Sequence, residues 1–311
     1  MRAAPPRLPP TVARTQEARV TPHTRQLPRR TSPGIYPLAI MQKWSDLPEV
    51  IREAMAPLAS ETPLLSGCQA AYLDLGANVG QRLEILYGHA RYQGVIGTWF
   101  RNISRADVCA LAFEPNPKWF ALLRNQTAQY RRQGRRVHFF PAAIAANNSQ
   151  AAFWRDHRKN APREWGATLL PALHRQDSVV VPTVSLSWLL RRHVPHSIRR
   201  IYATMDIEGG EWESLPPTIE RGQICATLDA LQIEVHATKL LQSSQGSEAA
   251  TQAARARIER LQRLLRTLVP GPECRTQVVA MGGLDEFIEG RRSRAEMAAR
   301  ANASRRADGG S

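Results

Sequence analysis

The amino-acid sequence predicts an α/β fold: a mostly parallel sheet with helices on both faces. Two observations carry this. Short, continuous apolar runs such as "AAYLDL", "DVCALAFE" and "RVHFFPAAI" alternate with helical patterns such as "QRLEILYGHA" and "PKWFALLRNQTAQYRRQ", and strands apolar on both faces belong to parallel sheets covered by helices. Several of these runs end in an acidic residue or a glycine turn, at the strand ends where open α/β sheets place their ligands. With 311 residues, 43% of them apolar, the chain is long enough for one large domain with loose ends.

The elements follow in order. Residues 1–44 read as an Arg- and Pro-rich leader: the first forty residues carry seven Arg and one acid, Glu17, and no continuous apolar core of a secretory signal. Two readings stand for it, a mitochondrial or plastid transit peptide and a disordered tail, the latter implying a cytoplasmic protein. The folded domain spans 45–289. It begins at "SDLPEVIREAMAPLAS", where Ser45 is placed to cap a helix with Leu47, Val50, Ile51 and Met55 on one face. After Ile144 come the shorter strands "AAFWRD" and "ATLLPAL", then "SVVVPTVSLSWLLRRHV" running from strand to helix, and the buried strand "RRIYATMDIE". A helix starting at "GGEWESL" is expected to stop at Pro216 and Pro217. "LDALQIEVH" is a further strand, "RARIERLQRLLRTLV" an amphipathic helix, and "TQVVAM" with "DEFIE" could complete the sheet. Residues 290–311 read as a disordered basic tail.

Composition narrows the function classes. The net charge of +15 invites a nucleic-acid partner, but 38 of the 42 basic residues are Arg scattered along the chain, without base-stacking aromatics among the clusters. Cys68, Cys109, Cys225 and Cys274 lie far apart and form no CxxC, so neither a zinc site nor a disulfide framework is expected, and they read as buried or incidental thiols. Asn-x-Ser/Thr triplets at Asn102, Asn125, Asn147 and Asn302 have meaning only on a secretory route. No 18-residue apolar segment is present to span a membrane.

Four strand ends carry the chemistry. In "YLDLGANVG", Asp74 ends an apolar run and Gly76, Asn78 and Gly80 form a turn that admits close approach of backbone or ligand. In "AFEPNP", Glu114 is set by Pro115, with Asn116 as N-cap and Pro117 as first helical residue. A carboxylate fixed there suits bidentate acceptance from the two hydroxyls of a ribose. "MDIEGGE" brings Asp206, Glu208 and Glu211 together at a third strand end, which is costly unless they face solvent, a cation or a proton-transfer task. "QIEVH" sets Glu234 and His236 on one side of an extended strand. No metal-ligand spacing compels a bound ion.

Taken in order, "YLDLGANVG", "FEPNP" and "MDIEGGE" resemble the FkbM family of S-adenosylmethionine-dependent methyltransferases, and "VPTVSLSWLL" is similar to a further element of that family, with Ser187 where an Asp is usual. The resemblance covers about Ala71 to His236. It implies a Rossmann-like class I methyltransferase fold with a mostly parallel seven-stranded sheet, and S-adenosylmethionine as cofactor. By position, Gly76, Asn78 and Gly80 would hold the methionine part with Asp74 near its amino group, Glu114 the ribose hydroxyls, and Pro141, Ala142 and Ala143 the adenine. Asp206 would face the transferable methyl.

Family members mostly methylate hydroxyls of sugars and natural products, so a small-molecule or glycan hydroxyl is the expected acceptor. A hydroxyl needs its proton removed, for which Asp206, Glu208 and His236 are the candidates: His236 or Asp206 as base, Glu208 or Glu211 as orienting group. The loop "PREWGATLL" would cover the acceptor or serve structure alone. The forty positions between Asp74 and Glu114, where about twenty is common, mark "RYQGVIGTWFRNISRAD" as an insertion near cofactor or substrate. Three alternatives compete. A nicotinamide oxidoreductase lacks its G-x-G-x-x-G, and an RNA or protein N-methyltransferase lacks its Asn/Asp-Pro-Pro-aromatic cradle; a binding-only relative remains open.

Overall fold

A computed structural model describes residues 42–88, 94–157, 164, 166–171 and 177–281. Nearly all of the leader, the basic tail and "DEFIE" lie outside them. The strands are β1 (Ala70–Leu75), β2 (Val108–Phe113), β3 (Arg136–Phe140), β4 (Ala143–Ala145), β5 (Ser149–Trp154), β6 (Ser178–Ser185), β7 (Arg200–Met205), β8 (Ala230–Ile233) and β9 (Gln277–Ala280). The α-helices are α1 (Glu49–Met55), α2 (Gln81–Tyr87), α3 (Gly94–Phe100), α4 (Phe120–Arg132), α5 (Leu186–His193), α6 (Glu211–Glu220), α7 (Gln223–Thr227), α8 (Ala237–Ser243) and α9 (Glu248–Arg266).

The central sheet runs β3-β2-β1-β7-β8-β9 with every neighbouring pair parallel. The fold class is as expected, with six strands in this sheet among the described residues rather than seven. β4, β6 and β5 form a separate sheet in which β5 runs antiparallel to β6. Strand alternation sorts the core into two faces. Leu73, Leu75, Leu111, Phe113, Ala203 and Met205 pack with Leu189, Trp212, Leu215 and Leu261 from α5, α6 and α9. Tyr72, Ala110, Ala112 and Tyr202 pack on the other side with Leu83, Phe100, Leu123 and Tyr130 from α2, α3 and α4. Strand order reverses at β1, which opens the ligand crevice between the β1 and β7 exits. Among the described residues no helix is long and apolar enough to cross a membrane.

Four expectations are corrected. Ser45 does not cap α1: Pro48 holds the N-cap position, and the Ser45 hydroxyl bonds Asp46 instead. Pro216 and Pro217 do not stop α6, which continues to Glu220. Each proline withholds a backbone donor at a cost of about 3 kcal/mol, and burial of Leu215, Pro216, Thr218 and Ile219 offsets it, with the Thr218 hydroxyl donating to the Ser214 carbonyl at 2.6 Å. The segment read as an insertion near the ligand instead supplies α3, whose Trp99 stacks on Tyr202 at 5.7 Å on a face of the sheet; none of its described residues lines the cavity.

The cysteines are the fourth correction: they are paired, Cys68 with Cys109 and Cys225 with Cys274. Separations of 41 and 49 residues hid the pairing; adjacency of β1 to β2, and of α7 to the segment entering β9, creates it. Closing loops of this length removes about 4 kcal/mol of unfolded-state entropy per bond on the chain-entropy model. Replacing either pair by alanine is therefore expected to lower Tm by about 10 °C, checked by thermal unfolding of each double variant against the oxidised protein. An unchanged Tm in both would remove the staples from the stability account.

Candidate active site

A cavity of about 470 Å³ opens beyond the carboxyl ends of β1, β2 and β7, within the range of small-molecule sites. Of the residues singled out from sequence, Gly76, Asn78, Glu114, Asn116, Ala142, Ala143, Asp206, Glu208 and Glu234 line it. Asp74, Gly80 and His236 stand one layer back. Asp74 is fully buried beneath the glycine turn, where it accepts from the Thr204 hydroxyl at 3.1 Å and lies 3.8 Å from Arg82. Burial pushes its carboxyl up, against the opposing pull of Arg82.

The two turn glycines serve the chain as well as the cavity. Gly76 has φ +94°, and a Cβ on it would lie 2.0 Å from the Asp206 carbonyl oxygen. A Cβ on Gly80 would meet Gln126 Oε1 at 2.0 Å, and Gln126 donates to the Gly80 carbonyl at 3.1 Å. Room that the glycine motif would leave for a ligand is taken at these two points by the β7 exit and by α4. Between them Asn78, at φ +48°, accepts the left-handed conformation that Asn tolerates better than most side chains.

Glu114 is held as its sequence context suggests. Its Oε2 accepts the Asn78 N–H at 2.7 Å and its Oε1 the Asn116 N–H at 2.8 Å, while Asn116 Oδ1 caps the following turn through the Lys118 N–H. Each oxygen keeps a lone pair for a ligand hydroxyl. Burial raises the carboxyl to about 7 despite those two backbone bonds.

The acids of "MDIEGGE" and the groups of "QIEVH" do converge. Glu211 is fully buried and accepts from the Gly209 N–H, the His236 N–H and His236 Nδ1, the last at 3.2 Å. The imidazole is thereby turned so that Nε2 lies 3.0 Å from Glu208, 3.7 Å from Asp206 and 3.8 Å from Glu234. Burial lowers the His236 pKa, but Glu211, Asp206 and Glu234 outweigh it and raise the ring above its ordinary value. Glu208 has φ +54°, a strained conformation for a side chain of its kind, and pairs with Lys239. Asp206, Glu234 and His236 also offer ligand atoms within 4.8 Å of one another, the reach of a divalent cation.

Two lining residues were missed from sequence. Arg82, on the first turn of α2, reaches Asp206 at 3.2 Å and Asp74 at 3.8 Å, so one guanidinium ties the two strand exits; in so Arg-rich a chain its position two residues after the glycine motif was its only mark. Glu164, from the "PREWGATLL" loop, bonds Asn116 Nδ2 at 3.0 Å, Arg155 at 3.1 Å and Lys118 at 3.3 Å. Burial pushes its carboxyl up, but these donors outweigh it and hold it below the ordinary range. The loop is thus anchored to the β2 exit, and its Ala167 and Leu169 line the cavity.

Fold and cavity together define a Rossmann-like α/β protein with an acidic site at the switch point of its parallel sheet. A family model described as the methyltransferase FkbM domain matches residues 74–262, and the chain belongs to this methyltransferase family. A crystal structure of methyltransferase FkbM from Methylobacillus flagellatus KT is 14% identical with a TM-score of 0.30, covering 60% of this chain and 44% of that one. The chain therefore spans under half of that protein's length. No curated protein matches the chain.

Proposed function

We propose that the protein binds S-adenosylmethionine in this cavity and transfers its methyl group to a hydroxyl of a small molecule or glycan. One observation carries the reading: a buried carboxylate, Glu114, fixed by two backbone N–H groups on the wall of a cavity that also exposes Asp206 and Glu208. The residues fit the cofactor. Glu114 retains acceptor capacity for two ribose hydroxyls, Ala142 and Ala143 offer apolar wall, and among the described lining residues Glu114, Glu164, Asp206, Glu208 and Glu234 outnumber the cation Arg82, which suits a sulfonium. When bound, S-adenosylmethionine supplies an electrophilic methyl group.

The chain's own residues do the rest. Asp206 lines the cavity and accepts the acceptor's proton, because a neutral hydroxyl is a poor nucleophile. His236 acts from behind it: its raised affinity for protons, 3.7 Å from Asp206, holds positive charge where Asp206 needs an anionic form. Glu211 sets the ring, and the loop at Ala167 and Leu169 keeps bulk water away.

Glu114 gives the test. Its ionised form accepts from ribose hydroxyls, so affinity for S-adenosylmethionine is expected to rise with pH through about 7 and level off above it. Glu114→Gln should bind about 10- to 100-fold more weakly at pH 8 and lose that pH dependence, measured by calorimetric titration. Undiminished, pH-dependent binding in the variant would overturn the cofactor placement. A second reading rests on the cluster of Asp206, Glu234 and His236, which would hold a divalent cation whose Lewis acidity would activate the acceptor hydroxyl. Exhaustive chelation separates the two: proton transfer to Asp206 keeps its turnover, and a cation site loses it until Mg²⁺ or Mn²⁺ returns.

A further inference from the structure

The disulfides and the Asn-x-Ser/Thr triplets have no part in methyl transfer, and together they point elsewhere. Cys68 and Cys109 lie at the amino ends of β1 and β2, and Cys274 precedes β9, opposite the strand ends that form the cavity. None of the four cysteines lines that cavity, and none is left as a thiol. A parallel-sheet domain with two continuous apolar cores does not depend on staples in the way a small domain does. Two structural bridges that use every cysteine are instead the mark of an oxidising compartment.

The triplets fit that compartment. Four of the eight asparagines head one, whereas about one would do so by chance, since Ser and Thr together make up about a ninth of the chain. Two of them sit where a modifying enzyme can reach both the amide and the hydroxyl. Asn102 and Ser104 are exposed in the turn between α3 and β2; Asn147 and Ser149 are exposed in the turn from β4 into β5. Asn125 differs, because it lies within α4 and its Thr127 is fully buried, donating to the Leu123 carbonyl at 2.8 Å. Asn102 lies at the amino ends of the strands, away from the cavity, and Asn147 does not line it.

Against both readings of the leader given above, we propose that the chain matures in an oxidising, glycosylating compartment and carries N-linked oligosaccharides on Asn102 and Asn147. Each amide nitrogen bonds to the anomeric carbon of an oligosaccharide carried on a lipid diphosphate; the carbon–oxygen bond to the diphosphate breaks, the lipid diphosphate leaves and the amide proton passes to a base. Each cysteine pair gives up two electrons and two protons to a disulfide oxidant of the same compartment. This inference is independent of the methyl-transfer reading.

The test takes the protein from the cells that make it, blocks free thiols with a maleimide at lysis, and releases glycans with a peptide N-glycanase in ¹⁸O water. Expected are no maleimide on any of the four cysteines until reductant is added, and ¹⁸O-marked deamidation at positions 102 and 147. Asn102→Gln and Asn147→Gln should each remove one glycanase-sensitive step in gel mobility. Maleimide on the cysteines before reduction overturns the compartment. Unmarked Asn102 and Asn147 overturn the glycans even where the cysteines are paired, and a mark at one position alone overturns the glycan at the other.

Discussion

Asp206→Asn is expected to lower kcat by about 10²- to 10⁴-fold while S-adenosylmethionine still binds. The side chain lines the cavity with Oδ2 on Arg82 at 3.2 Å and Oδ1 3.7 Å from His236 Nε2. An amide at this position keeps the shape but cannot take the acceptor's proton. His236→Gln, one layer back, should cost less in rate and change the pH profile, because it removes the imidazole behind Asp206 and leaves the proposed base in the cavity wall. The ring also marks itself in stability. Its folded pKa is raised, so its contribution is fully present below the unfolded value near 6.5 and is lost as pH rises through the folded value. Wild type and His236→Gln should thus differ most in denaturant midpoint at acid pH and converge at alkaline pH. Full turnover in Asp206→Asn, with wild-type pH dependence in His236→Gln, would place the base elsewhere.

Gly76→Ala is the substitution expected to damage the fold most for its size. The added methyl would sit 2.0 Å from the Asp206 carbonyl oxygen and 2.8 Å from its carbon, at φ +94°. These neighbours are backbone, held at the β7 exit by the Asp206 N–H donating to the Leu75 carbonyl at 2.9 Å, so no side chain can swing away. Strain in the left-handed region and overpacking each cost about 1–3 kcal/mol, giving a loss of roughly 2–6 kcal/mol in a urea titration. Because the displaced carbonyl belongs to Asp206, rate and cofactor affinity should fall with stability. Gly134→Ala is the control. It shares a left-handed φ of +77° but meets no atom within 4 Å, and so isolates a conformational cost of about 1 kcal/mol. Equal losses in the two variants would show that the contact with Asp206 does not matter.

Much of this arrangement was legible in the chain because it is local. A run of six buried residues such as Ala70–Leu75 declares a central parallel strand, and the acid or glycine that ends it is placed by the strand itself. Asn116 capping the turn after Glu114 is a matter of three adjacent residues, and it formed as expected. Partners distant along the chain were not legible. Cys225 and Cys274 meet because β9 docks beside β8, Arg82 serves Asp74 and Asp206 because β1 and β7 are neighbours, and Glu164 reaches Asn116 across 48 positions. The prolines of α6 misled for the same reason: their cost is set locally, and burial against other elements offsets it.

By itself, then, the sequence determined the α/β class, the strand ends that carry acids, and the family to which the ordered motifs belong, since each depends on periodicity or spacing within a few residues. The tertiary structure alone decided that the cysteines pair, that Glu211 turns His236 toward Asp206, and that Gly76 is required by the Asp206 carbonyl. Those relations arise from strand order, which brings residues many positions apart within bonding distance and leaves no periodic trace along the chain.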